Sequence, residues 1–110
     1  MIKVIVVDDE RFVRMGIVGE TDWASLGCEV VGEAENGVDA LELVHKKNPD
    51  LMICDIRMPK MNGLEMLKKL REEKNPVQVI FLTAYSEFSY AREALKLYAF
   101  DYLLKPFEDG

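Results

Sequence analysis

Carboxylates, one hydroxyl and one amine sit at matching places along this chain. Asp8 and Asp9 follow an apolar run over 2–7, Asp55 closes a run over 51–54, Thr83 follows a run over 77–82, and Lys105 follows a run over 100–104. Each run is too short for a helix and reads as a strand buried on both faces of a parallel sheet. A carboxylate inside such a run would carry a large desolvation cost, so Asp55 belongs where its strand emerges, at the carboxyl end. In a parallel sheet all carboxyl ends share one edge, where open α/β sheets place their ligand sites. Asp8, Asp9, Asp55, Thr83 and Lys105 are therefore expected to converge. Three acids in one pocket repel, each close pair by up to about 4 kcal/mol at an effective dielectric near 20. A hard divalent cation relieves that repulsion. Mg2+ suits the set, because it takes one or two carboxylates, keeps several waters and bridges to phosphate oxygens. Thr83 adds a hydrogen bond and Lys105 a positive charge, both of which a phosphoryl group requires. The constellation is suited to placing a phosphoryl group on Asp55 beside a metal ion.

The elements that must hold these groups alternate between strand and helix. After the first strand, a helix is predicted over 11–19, with Asp9 at its cap and Val13, Gly16 and Ile17 on its inner face. A short turn over 21–27 beneath Trp23 leads to a second strand, Cys28–Ala34. Asn36 and Asp39 stand at capping spacing for a second helix with Val38, Leu41 and Val44 inside. Pro49 ends that unit. Asn62, Gly63 and Glu65 open a third helix with Leu64, Leu67 and Leu70 inward, and Asn75-Pro76 stops it. Ser86 caps a fourth, in which Phe88, Ala91, Leu95 and Tyr98 recur at helical spacing. The class is therefore α/β, with right-handed βαβ crossovers and a parallel sheet covered on both faces.

The 110 residues allow one domain, spanning 1–110, and the 49% hydrophobic fraction supplies a real core. No stretch is long and apolar enough to span a bilayer, and the N-terminus runs straight into a strand without signal-peptide organisation. Both features point to the cytoplasm and away from membranes. A net charge of −6 argues against direct nucleic-acid binding, because phosphates would be repelled. Cys28 and Cys54 lie in apolar runs and read as small buried hydrophobes. His45, at the end of a polar helical turn, reads as a surface residue.

Asp8-Asp9, Asp55 with Met58-Pro59, Thr83-Ala84 and Lys105-Pro106, at these spacings, closely resemble the receiver domain of two-component response regulators over nearly the whole chain. The resemblance implies a flavodoxin-like three-layer sandwich with a five-stranded parallel sheet of order 2-1-3-4-5. In that order a third strand separates Cys28 from Cys54 by about 9–10 Å, beyond disulfide reach. The resemblance also implies that Asp55 accepts phosphate from a sensor histidine kinase. Asp9 and Asp55 would bind Mg2+ directly, with the backbone carbonyl of Arg57, and Asp8 mostly through water. Thr83 and Lys105 would hold the phosphoryl oxygens. Tyr102 matches the family's aromatic switch position, and the surface over 86–105 would shift to control a homodimer or an output domain. Such a domain is not an enzyme; it is a phosphoacceptor that assists its own phosphorylation and dephosphorylation.

The stretch Asp22-Trp23 with Leu26-Gly27, then Val31-Gly32-Glu33-Ala34 and Asn36-Gly37, is similar to the subgroup whose receiver precedes an AraC-type DNA-binding domain. DNA would then be reached only through an output domain absent from this chain, in a longer protein that regulates transcription. The chain stops at Phe107-Glu108-Asp109-Gly110, where the family continues into a C-terminal fifth helix. The resemblance therefore implies a piece of a longer regulator with that helix missing.

Taken singly, each residue has a plainer reading. Asp8-Asp9-Glu10 reads as a solvated turn or helix cap, Asp55 as a turn residue, Thr83 as a strand-end hydroxyl and Lys105 as a surface charge. Their shared position at strand ends is what makes a site. Arg57 divides between a cover over the phosphoryl group and a solvent-facing side chain. Among rivals, an aspartyl-phosphate phosphohydrolase needs an Asp-x-Asp pair, but Ile56-Arg57 follows Asp55. A non-phosphorylated interaction module on the same fold is disfavoured by the intact acids, Thr83 and Lys105.

Overall fold

Val4, Ile5, Val6 and Val7 are all fully buried, so the first strand, β1 (Ile2–Val7), runs through the middle of the molecule. The computed structural model describes the backbone of residues 1–84 and 101–105, and the side chains of residues 1–82. β1 pairs in parallel with β2 (Cys28–Ala34) on one side and β3 (Leu51–Asp55) on the other. β4 (Gln78–Ala84) and β5 (Asp101–Lys105) extend the sheet, giving the order β2-β1-β3-β4-β5. Within residues 1–82 the β-branched and aliphatic residues of these strands supply side chains to both faces at a period of two, as a parallel sheet requires. Cys28 and Cys54 are both buried thiols not joined by a disulfide, with β1 between their strands.

Three helices cover the described faces: α1 (Arg11–Glu20), α2 (Gly37–Lys47) and α3 (Gly63–Glu72). Ile5, Val7, Met52, Cys54, Val79 and Phe81 point to one face and pack with Ala40 and Val44 of α2 and Leu64, Leu67 and Leu70 of α3. Phe81 is fully buried at the centre of this cluster, so truncating it to Ala would cost about 3–5 kcal/mol. Val4 and Val6 point to the opposite face, with Cys28. There Ile17 and Val18 of α1 and Trp23 pack on them. Trp23 is anchored by its Nε1–H, which donates to the Val18 carbonyl at 3.2 Å, just before a short 3-10 turn, Ala24–Leu26.

Local chemistry sets the helix starts. Asn36 accepts from the Asp39 amide at 2.8 Å. Asn62 and Glu65 form a reciprocal capping box, with the Glu65 amide donating to Asn62 Oδ1 at 2.8 Å and Asn62 N–H to Glu65 Oε1 at 3.1 Å. After α3, Arg71 closes the turn to β4 by donating to the Asn75 and Val77 carbonyls at 2.9 and 3.0 Å. Burial lowers its pKa from the ordinary arginine value.

Some expectations shift. The cap position of α1 is Glu10 rather than Asp9, and no side-chain cap bond forms there. Val38 is 41% exposed and points away from the core, because α2 is phased on Gly37, Ala40 and Val44. The inner face of α1, with Val13, Gly16 and Ile17, is half-buried rather than fully covered. On β3, Met52 and Cys54 are fully buried but Leu51 and Ile53, on the other face, are half-buried. Thr83, the penultimate residue of β4, and Lys105, the last of β5, lie within those strands rather than just beyond them. The fourth-helix stripe and the segment over 106–110 lie outside the described residues.

Candidate functional site

The site is levelled by Asp50, which locks three strands in register. Its amide donates to the Lys3 carbonyl at 2.8 Å and its Oδ2 accepts from the Lys3 amide at 2.8 Å. The Gln78 amide donates to the Asp50 carbonyl at 3.1 Å. Val7 is thereby paired with Cys54, so Asp8 leaves β1 at the height where Asp55 ends β3. Asp55 is in turn level with Leu82, and Leu82 with Leu103.

Asp8 is fully buried and Asp55 is only 6% exposed, whereas Asp9 and Glu10 are exposed. Each buried carboxylate gives one oxygen to a backbone amide: Glu10 N–H donates to Asp8 Oδ1 at 2.8 Å, and Ile56 N–H to Asp55 Oδ1 at 2.8 Å. One carboxylate oxygen from each of Asp8, Asp9, Glu10 and Asp55 lies within 4.8 Å of the others. Two unit negative charges at that spacing repel by at least about 3 kcal/mol at an effective dielectric near 20.

The expected acids are therefore brought together, and a fourth joins them. In the sequence Glu10 reads only as part of a solvated turn or helix cap. Its signal in the sequence was its place beside Asp9 at the start of α1, where a side chain still clears the sheet edge.

The segment after Asp55 is fixed by two close approaches. The Gly63 amide donates to the Ile56 carbonyl at 2.7 Å, and a Cβ on Gly63 would stand 2.5 Å from the Asp55 carbonyl oxygen. The Gly37 amide donates to the Met61 carbonyl at 2.9 Å, and a Cβ there would stand 2.5 Å from the same carbonyl oxygen. Both glycines are at helix starts, so α2 and α3 press their first turns against the loop that carries Arg57. Lys60 in this loop adopts φ 67, a left-handed conformation that costs a non-glycine residue roughly 1–2 kcal/mol. Arg57 itself is exposed. These glycine contacts were not legible beforehand, because Gly37 and Gly63 read simply as parts of helix caps.

Thr83 and Lys105 are placed by backbone register. Thr83 lies one residue beyond the level of Asp55 on the adjacent strand, and Lys105 two residues beyond it on the next. Strand spacing puts those two backbones roughly 5 and 10 Å across the sheet from β3. Both are on the edge that carries the acids. The side chains of Thr83, Lys105 and Tyr102, and the surface around Ser86, lie outside the described residues.

The donor set is made of hard carboxylate oxygens. An octahedral ion with bonds of about 2.0–2.1 Å spans roughly 4 Å between opposite ligands, and Mg2+ ordinarily uses only one or two carboxylates directly. A cluster no wider than 4.8 Å fits that ion with the remaining acids reached through water.

Comparison with known proteins points the same way. Residues 4–110 match the family model described as the response regulator receiver domain. The chain is 43% identical over 106 residues to the uncharacterized transcriptional regulatory protein YesN of Bacillus subtilis, covering 96% of this chain and 29% of that protein. It is 45% identical over 113 residues to the transcriptional regulatory protein BtsR of Salmonella typhimurium, covering 99% of this chain and 44% of that one. The chain thus spans less than half the length of these curated relatives. Among solved structures, the REC domain of AraT, a response regulator from Geobacillus stearothermophilus, superposes with a TM-score of 0.89 at 45% identity, covering 96% of this chain and 82% of that one.

Proposed function

Because this chain belongs to the response regulator receiver domain family, we propose that residues 1–110 form one receiver domain whose Asp55 is the phosphoacceptor. The observation that carries this reading is the acid cluster at the carboxyl edge of the sheet, with the nearly buried Asp55 at the end of β3 and ligand oxygens within 4.8 Å. Asp55 attacks the phosphorus of a kinase phosphohistidine, or of a small acyl phosphate. A new O–P bond forms while the P–N or P–O bond to the donor breaks, and the donor leaves with the electron pair. A bound Mg2+ would supply positive charge to the transferring oxygens. Asp9, Asp55 and the Arg57 carbonyl would hold it directly, and Asp8 mostly through water.

Lys105 contributes a second positive charge from β5, and Thr83 a hydroxyl from β4. The Ile56 amide, already bonded to Asp55 Oδ1 at 2.8 Å, fixes the carboxylate's orientation before the donor arrives. Loading of Asp55 then biases Thr83, Tyr102 and the surface over 86–105, which is the switch that an output domain or a second copy would read. That YesN and BtsR are transcriptional regulatory proteins, each more than twice as long as the stretch matched here, supports a longer protein whose output acts on transcription. The sensor histidine kinase as donor, the AraC-type DNA-binding output domain and the cytoplasmic location follow from the family and subgroup resemblance of the sequence. Among the described residues no helix is long and apolar enough to cross a membrane.

The test is acetyl phosphate with Mg2+, followed by intact mass. The wild type gains one phosphoryl group; Asp55→Asn gains none. A wild type that stays unmodified, or an Asp55→Asn that is modified equally, overturns the reading.

A further inference from the structure

Acids this close repel one another, yet the β1–α1 link holds three of them, Asp8, Asp9 and Glu10, within 4.8 Å of one another and of Asp55 at the end of β3. One side chain outside the cluster is built into that link. Arg14, on the first turns of α1, is only 15% exposed. Its NH1 donates to the Asp8 carbonyl at 2.6 Å, and its Nε to Glu33 Oε1 at 3.0 Å. The Asp8 amide donates to the Ala34 carbonyl at 3.1 Å, next to Glu33. The Arg14 amide donates to the Glu10 carbonyl at 3.1 Å. The peptide between Asp8 and Glu10 is thus gripped from both ends of the link by one residue, which also ties it to the end of β2.

We propose that Arg14 is a positioning residue for the cation site: it holds the Asp8–Glu10 link in the metal-ready arrangement before the ion binds. This inference rests on the reading of the acid cluster as a Mg2+ site. A rival role for a buried guanidinium next to acids is purely electrostatic, a resident positive charge that competes with the incoming cation. The two roles predict opposite signs. Removing a competing charge tightens Mg2+ binding, whereas removing a positioning bond weakens it, because the apparent affinity falls with the fraction of molecules in the competent arrangement.

The surroundings favour positioning. The guanidinium is paired with Glu33, and the solvent-open cleft beside it, about 250 Å3, is lined by Arg14, Glu33, Ala34, Glu35 and Asp39. Its charge is met by Glu33, an acid that is not in the cluster. What it offers the cluster is a short, directed bond to a main-chain carbonyl, and charge-assisted bonds of this kind are among the stronger ones.

The experiment compares wild type, Arg14→Ala and Arg14→Lys for Mg2+ affinity by calorimetry and for metal-free amide exchange at Glu10 by NMR. Loss of one charge-assisted bond corresponds to a change on the order of tenfold or somewhat more. Arg14→Ala is expected to bind Mg2+ about tenfold more weakly and to exchange the Glu10 amide faster by a similar factor. Arg14→Lys, which keeps the charge and one donor but cannot span both partners, recovers part of the affinity. An Arg14→Ala protein with unchanged or tighter Mg2+ binding overturns the inference and leaves the phosphoacceptor reading standing. If the wild type itself binds no Mg2+, that reading falls, and unaltered Glu10 exchange in Arg14→Ala then overturns the positioning role as well. Where Arg14→Ala does not fold, Arg14→Gln, with a neutral and shorter donor, carries the same comparison.

Discussion

Replacing Gly63 by Ala should harm this protein although the same exchange in a helix ordinarily helps. A Cβ at Gly63 would lie 2.5 Å from the Asp55 carbonyl oxygen, 2.7 Å from Phe81 Cε1 and 3.2 Å from Ile56 Cα. Two of these are backbone atoms and the third belongs to a fully buried ring, so none can swing aside. Overpacking of this kind costs about 1–3 kcal/mol. The exchange also gains up to about 1 kcal/mol of helix propensity, which the clash exceeds. The net loss of roughly 1–2 kcal/mol corresponds to a melting-temperature fall of about 5–10 °C for a domain of this size.

Gly16→Ala is the matched control. It lies in the interior of α1, and beyond its chain neighbours and its own helix backbone no described atom stands within 4 Å of its Cβ position. It should gain about 0.5–1 kcal/mol and melt a few degrees higher. Because the displaced atom at Gly63 is the main chain of Asp55, Gly63→Ala should also slow phosphate uptake from acetyl phosphate, whereas Gly16→Ala should not. Thermal melts with mass-monitored phosphorylation read both effects. A Gly63→Ala protein as stable and as readily phosphorylated as wild type would refute the close-approach argument.

Other substitutions test separate parts of the account. Arg71→Ala removes the donors to the Asn75 and Val77 carbonyls and should lower urea-unfolding stability by about 1–3 kcal/mol. Glu73→Gln breaks the exposed pair with His45, 2.7 Å apart, and should change stability by less than about 1 kcal/mol in the same assay. Phe12, 89% exposed on α1 two residues past Glu10, should tolerate Phe12→Ser within about 0.5 kcal/mol. If that ring meets the donor protein, Phe12→Ser slows transfer from a kinase and leaves acetyl phosphate labelling unchanged. Transfer from the kinase to Phe12→Ser at the wild-type rate would show that the ring does not meet the donor protein.

The strands, their parallel sense and the acids were readable because burial on two faces leaves a simple signature, short apolar runs with polar residues at their ends, whereas the strand order came only from the family resemblance. Asp8, Asp9 and Asp55 fall together for that reason. Helix phase was harder. Val38 and Ala40 both fit a helical stripe in the sequence, and only packing against the sheet and α3 decides that Ala40 is buried and Val38 exposed. The cap of α1 was misread because Asp9 has the better capping side chain, while the chain turns into helix one residue later, at Glu10. The contacts of Arg14, Gly37 and Gly63 join segments distant in sequence or depend on sub-ångström spacing, so no local pattern marks them. Arg14 and Glu33, for instance, are nineteen positions apart and meet only because β1 and β2 are neighbours.

The most direct test of the central claim is chemical mapping of the modified side chain. Borohydride reduces an aspartyl phosphate to homoserine, which marks the residue in a peptide digest. After treatment with acetyl phosphate and Mg2+, the account predicts homoserine at position 55 and its loss when the metal is chelated. Homoserine at Asp8 or Asp9 instead, or labelling of Asp55 that is indifferent to Mg2+, would contradict it.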